Sequence, residues 1–308
     1  AVGRRVYARM GPSAPSFPFP VNVRFLPGGM VARPNNNNND EDRADANGSV
    51  ILAIDLDRAP DRKLWSRRSS ELTLPDRPGQ QGSPTVVFEG APVADERNVY
   101  VAVTDRREQT ATYIACLDAE DGSTRWLRYL GAAASDNDPM MAMGMGAMMG
   151  GFGGGGSGGR LLSLDGPSLY YQTNLGAVAA LDAETGSILW VSTYPRRESG
   201  RGSAVVERDL NPAVVHDGTV FVAPADASAI FAFDAQSGRL RWKTDAIPDD
   251  VKIAHLLGVA AGRLVATGDR VLLFDVRDGR LLHAWPDAGG REGFGRGLLA
   301  GGRIYWPT

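Results

Sequence analysis

Five segments of this chain repeat one pattern, and that repetition constrains the fold more than any other feature. Ala180-Leu181-Asp182-Ala183-Glu184-Thr185-Gly186-Ser187-Ile188-Leu189-Trp190 carries it whole, as A-x-D-x-x-T-G-x-x-x-W. Asp118, Gly122 and Trp126 keep the same spacing, and so do Ala232, Asp234, Gly238 and Trp242. Asp275 and Gly279 begin a further copy in which His283 stands at the Trp position and Trp285 falls two residues late. In the remaining copy Asp55 and Trp65 are stretched apart by two residues. Such periodicity marks supersecondary units that cannot bury an apolar face alone and must stack on their neighbours.

From about residue 84 each unit reads the same way. A short apolar segment (Ala91–Ala94, Leu161–Leu164, Pro212–Val215, Leu256–Val259) meets a turn, and a β-rich run follows (Val99–Val103, Leu169–Tyr171, Val220–Ala223, Leu264–Ala266). Then come the strand that holds the motif Asp, a hairpin and the strand that holds the Trp. Four short strands separated by Gly and Asp turns predict an antiparallel meander. The strand before the Asp is apolar on both faces: Ile230 and Ala232 point one way, Phe231 and Phe233 the other. A strand buried on both sides suits sheets stacked face to face. The expected fold is therefore all-β, a β-propeller of four-stranded antiparallel blades, partial or fragmentary within this chain.

Turn chemistry explains the motif. Asp accepts hydrogen bonds from backbone N–H groups one or two residues on, closing an Asx-type turn. Gly four positions later supplies the positive φ that a type I turn with a bulge requires. Trp on the next strand offers a large flat surface to the adjacent unit. Asp118, Gly122, Trp126, Ala180, Asp182, Gly186, Trp190, Ala232, Asp234, Gly238, Trp242, Asp275 and Gly279 are accordingly expected to form a structural docking motif, with no catalytic, cofactor-binding or metal-binding role.

At these residues the chain resembles the pyrroloquinoline-quinone-type propeller repeats, over roughly residues 49–308. That resemblance implies quinoprotein alcohol dehydrogenase-like blades. It also implies one of two roles. In one branch of the superfamily the propeller binds the quinone and a calcium ion on its axis and oxidises an alcohol or sugar. In the other it is a non-catalytic scaffold, as in the outer-membrane assembly lipoprotein and large bacterial envelope proteins. The alcohol dehydrogenases place the quinone beneath a ring of two adjacent cysteines, whereas Cys116 is the only cysteine here. The scaffold reading is favoured: a periplasmic or otherwise extracytoplasmic protein that uses no cofactor and meets other proteins or further blades of a parent chain. PQQ with Ca2+ belongs to the alternative alone.

The rest of the sequence narrows this reading. Net charge is −3, from 33 basic and 36 acidic residues, which gives no electrostatic footprint for nucleic acid. No apolar run approaches bilayer-spanning length. The chain opens on Ala1 and closes within a strand-like segment, which reads as an internal piece, so missing targeting signals weigh little. Residues 1–48 read as a first blade strand followed by a Pro- and Asn-rich loop insertion. Residues 49–308 read as the repeats, with motif copies ending near 65, 126, 190, 242 and 285 and the last blade cut short. A Met/Gly-rich insertion spans 131–159; its six methionines between Met140 and Met149 could offer soft thioether ligands to Cu(I), but a low-complexity spacer is the simpler reading. His216, His255 and His283 fall in separate units and read as structural.

Overall fold

The computed structural model describes residues 2–11, 21–26, 29–34, 48–58, 62–75, 85–105, 110–133, 162–173, 176–196, 211–244, 253–286, 293 and 296–307. In chain order, β1 (Arg5–Met10) leads to the hairpin β2 (Val21–Leu26) and β3 (Gly29–Pro34), then to β4 (Val50–Asp55) and β5 (Lys63–Arg68). Strands β1, β4 and β5 form a three-stranded antiparallel sheet. The β2–β3 hairpin lies inside the stretch read from sequence as a loop. Val21, Val23 and Phe25 alternate with polar residues ahead of Pro27-Gly28-Gly29, a pattern that the Pro and Asn content around it obscured.

Four four-stranded sheets follow, each a simple meander. The first comprises β6 (Val86–Ala94), β7 (Asn98–Asp105), β8 (Thr110–Asp118) and β9 (Thr124–Ala133). The second comprises β10 (Leu162–Asp165), β11 (Ser168–Gln172), β12 (Ala177–Asp182) and β13 (Ile188–Thr193). The third runs through β14 (Val214–His216), β15 (Thr219–Val222), β16 (Phe231–Asp234) and β17 (Leu240–Lys243). The fourth runs through β18 (His255–Ala260), β19 (Arg263–Thr267), β20 (Val271–Asp275) and β21 (Leu281–Trp285). A two-stranded sheet of β22 (Leu298–Ala300) and β23 (Arg303–Tyr305) ends the described chain. Of the Met/Gly-rich insertion, residues 131–133 belong to β9, and Met140–Met149 lie outside the described residues.

Period-two alternation divides each sheet between two cores. On β7, Val99, Val101 and Val103 face the β1–β4–β5 sheet and pack with Ile51, Ala53 and Trp65. Tyr100 and Ala102, on the opposite face, pack with Leu169, Tyr171, Ala179 and Leu181 of the next sheet. Tyr170, Val178 and Ala180 then meet Val220, Phe231 and Phe233, and Phe221, Ile230 and Ala232 meet Leu264, Leu272 and Phe274. The central strands of the three middle sheets are thus sandwiched between sheets, as their two-sided apolar sequence requires. The molecule is an all-β propeller assembly in which, among the described residues, the three middle four-stranded sheets each share one core with the sheet before and another with the sheet after, while the β1–β4–β5 and β18–β21 sheets each share one.

Candidate functional site

The most repeated local geometry lies where the Trp of one blade meets the Asp-Gly turn of the next. Each turn closes through two backbone hydrogen bonds. In the complete copy Gly186 N–H donates to the Asp182 carbonyl at 2.8 Å and Asp182 N–H to the Ser187 carbonyl at 2.8 Å. Gly122, Gly186, Gly238 and Gly279 all have φ between +68° and +75°. The pairing register slips by one residue just before each turn, between Ala180 and Leu181 for example, so the turn carries a bulge.

The motif carboxylates are spent on these turns. Asp182 Oδ1 accepts from Thr185 N–H and from Thr185 Oγ1, each at 2.8 Å. Asp234 Oδ1 accepts from Gln236 N–H, Ser237 N–H and Ser237 Oγ. Asp118 accepts from Glu120 N–H and Asp275 from Arg277 N–H. The bonded amide lies two residues on at Asp118, Asp234 and Asp275, within the one or two expected, and three residues on at Asp182 and, additionally, at Asp234. A guanidinium completes three of the four: Arg125 with Asp118 at 2.6 Å, Arg241 with Asp234 at 2.7 Å and Arg277 with Asp275 at 2.7 Å. These bonds favour the charged form. The Glu120 amide and Arg125 hold Asp118 below the usual carboxylate range, and Thr185 does so for Asp182. Asp234 and Asp275 are held well below it, chiefly by Arg241 and Arg277.

Over each turn lies the indole of the preceding blade. The Nε1–H of Trp65 donates to the Ala119 carbonyl at 3.1 Å, and that of Trp126 to Ala183 at 3.2 Å. Trp190 reaches Ala235 and Trp242 reaches Val276, each at 2.9 Å. The accepting residue always follows the motif Asp. A Cβ added at Gly122, Gly186, Gly238 or Gly279 would approach carbon atoms of that indole to 2.4–2.6 Å, inside any normal contact. Glycine is therefore required twice over, for its φ and for its missing side chain. Arg128 Nε and Ser192 Oγ, two residues beyond their Trp, donate to the Gly186 and Gly238 carbonyls and add a second tie.

A further element was hidden from the sequence. Tyr7, Ala53 and Trp65 lie side by side across three strands, and so do Tyr100, Cys116 and Trp126. Tyr170, Ala180 and Trp190 repeat the row, as do Phe221, Ala232 and Trp242. The two aromatic rings meet, tilted, at centroid distances of 6.0, 6.0, 6.1 and 5.7 Å. The middle residue must be small for them to do so, which gives a reason for the Ala of A-x-D. In the last row Val265, Leu273 and His283 stand together. Both aromatics are gone there and a larger side chain sits between. Trp285 instead lies half exposed, edge-on to Trp306 at 6.0 Å.

The other sequence candidates do not converge. His216, His255 and His283 belong to β14, β18 and β21 of two different sheets, and no group of His, Cys, Asp and Glu suited to a metal occurs among the described residues. Cys116 is buried in the aromatic row with its Sγ 3.5 Å from Asn98 Oδ1, and burial pushes the thiol up to about 12. Beside it, burial alone would raise the Asp95 carboxyl, but hydrogen bonds from Arg97 N–H, Tyr100 OH and Asn98 outweigh that and hold it low. A cleft of about 640 Å³ opens between the β1–β4–β5 sheet and the β6–β9 sheet, lined by Arg4, Arg5, Tyr7, Asp95, Asp118 and Arg125 among others. Two of its arginines are paired, Arg125 with Asp118 and Arg4 with Asp57.

Comparison with known proteins fits this architecture. The family described as "Outer membrane protein assembly factor BamB" matches residues 174–300, less than half of the chain. Tetrathionate hydrolase of Acidithiobacillus ferrooxidans is 28% identical over 134 residues, 42% of this chain. The match spans only a quarter of that relative's length. Among solved structures, a quinohemoprotein alcohol dehydrogenase of Pseudomonas putida HK5 aligns with 84% of this chain and 52% of its own at a TM-score of 0.51 and 11% identity, a likeness of fold alone. BamB from Moraxella catarrhalis aligns with 90% of this chain and 64% of its own at a TM-score of 0.44 and 15% identity.

Proposed function

We propose that this chain, built of pyrroloquinoline-quinone-type β-propeller repeats, is a non-catalytic scaffold that presents surfaces to other proteins in the bacterial cell envelope. Its motif residues would then act as structural sockets, with Trp65, Trp126, Trp190 and Trp242 locking successive blades. The observation that carries this reading is the engagement of the repeated carboxylates. Asp118, Asp182, Asp234 and Asp275 each hold their own turn through backbone amides and a Thr, Ser or Arg side chain. A carboxylate so occupied is a poor calcium ligand or general base. The match to an outer-membrane assembly family over residues 174–300 supports an extracytoplasmic place and a protein-binding role. No described helix is long and apolar enough to cross a membrane.

The rival role, a quinone- and calcium-dependent dehydrogenase, calls for groups that these residues do not supply. Cys116 is buried within a sheet between Tyr100 and Trp126, where it cannot form an adjacent cysteine pair above a quinone. The turn aspartates belong to four different blades. The described residues therefore do not fit that group. A third possibility comes from the tetrathionate hydrolase similarity over 134 residues. Three assays on one preparation separate the roles. The scaffold reading expects no dye-linked oxidation of alcohols or sugars with added quinone and Ca2+, and no conversion of tetrathionate. It expects photo-crosslinks to envelope proteins from probes at exposed outer-strand positions such as Leu240. Turnover in either enzymatic assay would overturn it.

A further inference from the structure

Among the described residues the outermost strand of each sheet pairs on one side only, leaving an edge of backbone groups, a template for strand addition that natural proteins blunt with charge or proline. Three of the five outer strands carry such charges: Lys63, Arg67 and Arg68 on β5, Arg125 and Arg128 on β9, and Arg241 and Lys243 on β17. Strand β21 has no charge but runs straight into Pro286. Strand β13, with the sequence Ile-Leu-Trp-Val-Ser-Thr, carries no charge, and its proline, Pro195, comes only after Tyr194. Ile188, Leu189 and Val191 are 42%, 53% and 54% exposed on it.

Backbone direction fixes which groups face outward. Tyr194 N–H donates to the Gly176 carbonyl, on the β12 side. Antiparallel ladders alternate, so Ser192 and Trp190 also turn their backbone groups towards β12, while Val191 and Thr193 turn theirs to the free edge. A second β13 running antiparallel with Val191 opposite Val191 would form a hydrogen-bonded pair about a twofold axis. That register sets Leu189 against Thr193 and brings no charge against a like charge. The same operation on β17 would set Lys243 against Lys243. Self-complementarity of this kind is what an isologous contact requires.

We propose that two copies of this chain associate through their β13 edges, Val191 against Val191, into one continuous eight-stranded sheet. The contact rests on a six-residue strand, well below the roughly 1,000 Å² of a tight interface, so dissociation in the range of about 10–100 µM is expected. Sedimentation velocity across about 1–300 µM, bracketing that range, reads it directly. Val191→Lys sets like charges opposite and should raise the dissociation constant about tenfold or more, whereas Leu240→Lys on β17 should leave it unchanged. Val191→Cys should give a disulfide-linked dimer under mild oxidation, with buried Cys116 taking no part. If Val191→Lys lowered stability by itself, the cysteine variant would still report the register. A chain that stays monomeric at every concentration overturns the proposal and leaves the edge to an unlike strand. A dimer that survives Val191→Lys, or Val191→Cys protein that does not crosslink, overturns it equally.

Discussion

Two glycines of one blade separate conformational cost from steric cost. Gly262, in the β18–β19 turn, has φ +68° and nothing within 4 Å of an added Cβ. Gly279, in the β20–β21 turn, has φ +75°, and an added Cβ would stand 2.4 Å from Cε3 and 2.6 Å from Cζ3 of Trp242. Alanine at either site must adopt left-handed backbone, at about 1–2 kcal/mol. The stiffer unfolded chain returns about 0.4–1 kcal/mol of that. Gly262→Ala should therefore cost roughly 1 kcal/mol. Gly279→Ala adds an overpacked contact of about 1–3 kcal/mol, because the indole is held by its bond to Val276 and cannot simply withdraw. Urea titration, with stability taken from the midpoint at constant slope, should show Gly279→Ala less stable than Gly262→Ala by that margin. Replacing Trp242 with Leu should remove most of the difference, a coupling of about 1–2 kcal/mol between residues in contact. Equal losses for the two alanines, or strict additivity with Trp242→Leu, would refute a close-packed Trp–Gly contact.

Other outcomes follow from the same geometry. Trp190→Phe keeps a ring over Gly238 but loses the indole donor to Ala235, and should cost about 1–2 kcal/mol by urea midpoint. Ala261 has φ +49°, so Ala261→Gly should raise stability by about 0.5–1 kcal/mol, read as a higher thermal midpoint. Ala232→Leu, which installs the residue of the eroded row between Phe221 and Trp242, should cost about 1–3 kcal/mol and change tryptophan emission. Stability should also fall in acid. The native values of Asp118, Asp182, Asp234 and Asp275 lie below the unfolded value near 3.9, so the unfolded chain binds more protons as pH drops. Their contribution is complete above about pH 5 and is lost as pH falls through the unfolded value towards the native values. Asp182→Asn should flatten the decline of the urea midpoint between pH 5 and about pH 3; an unchanged slope would speak against a stabilising Asp182.

The blade architecture was legible because it is local: Asp, Gly and Trp at fixed offsets encode a turn and a strand face within about a dozen residues. The aromatic rows were not. Tyr100 lies 16 residues before Cys116, and Phe221 lies 11 before Ala232. Only the strand register brings them opposite, because the loop between the two strands varies in length while the ladder does not. The reason for a small residue at Ala180 was therefore out of reach until Tyr170 and Trp190 were seen on either side. The β2–β3 hairpin was missed for the opposite reason: surrounding composition outweighed a short local alternation. From sequence, His283 showed only a missing Trp; its row holds Val265 and Leu273 beside it, so the whole cross-strand set is different there.

The scaffold reading is tested most directly by titrating pyrroloquinoline quinone, with Ca2+ present, into the protein while following tryptophan fluorescence and heat. With the turn aspartates and Cys116 engaged as described, no saturable quenching and no binding heat are expected up to about 100 µM quinone, a range that takes in ordinary cofactor affinities. Stoichiometric, Ca2+-dependent quenching in the micromolar range or tighter would contradict the account and assign the propeller to the quinone enzymes.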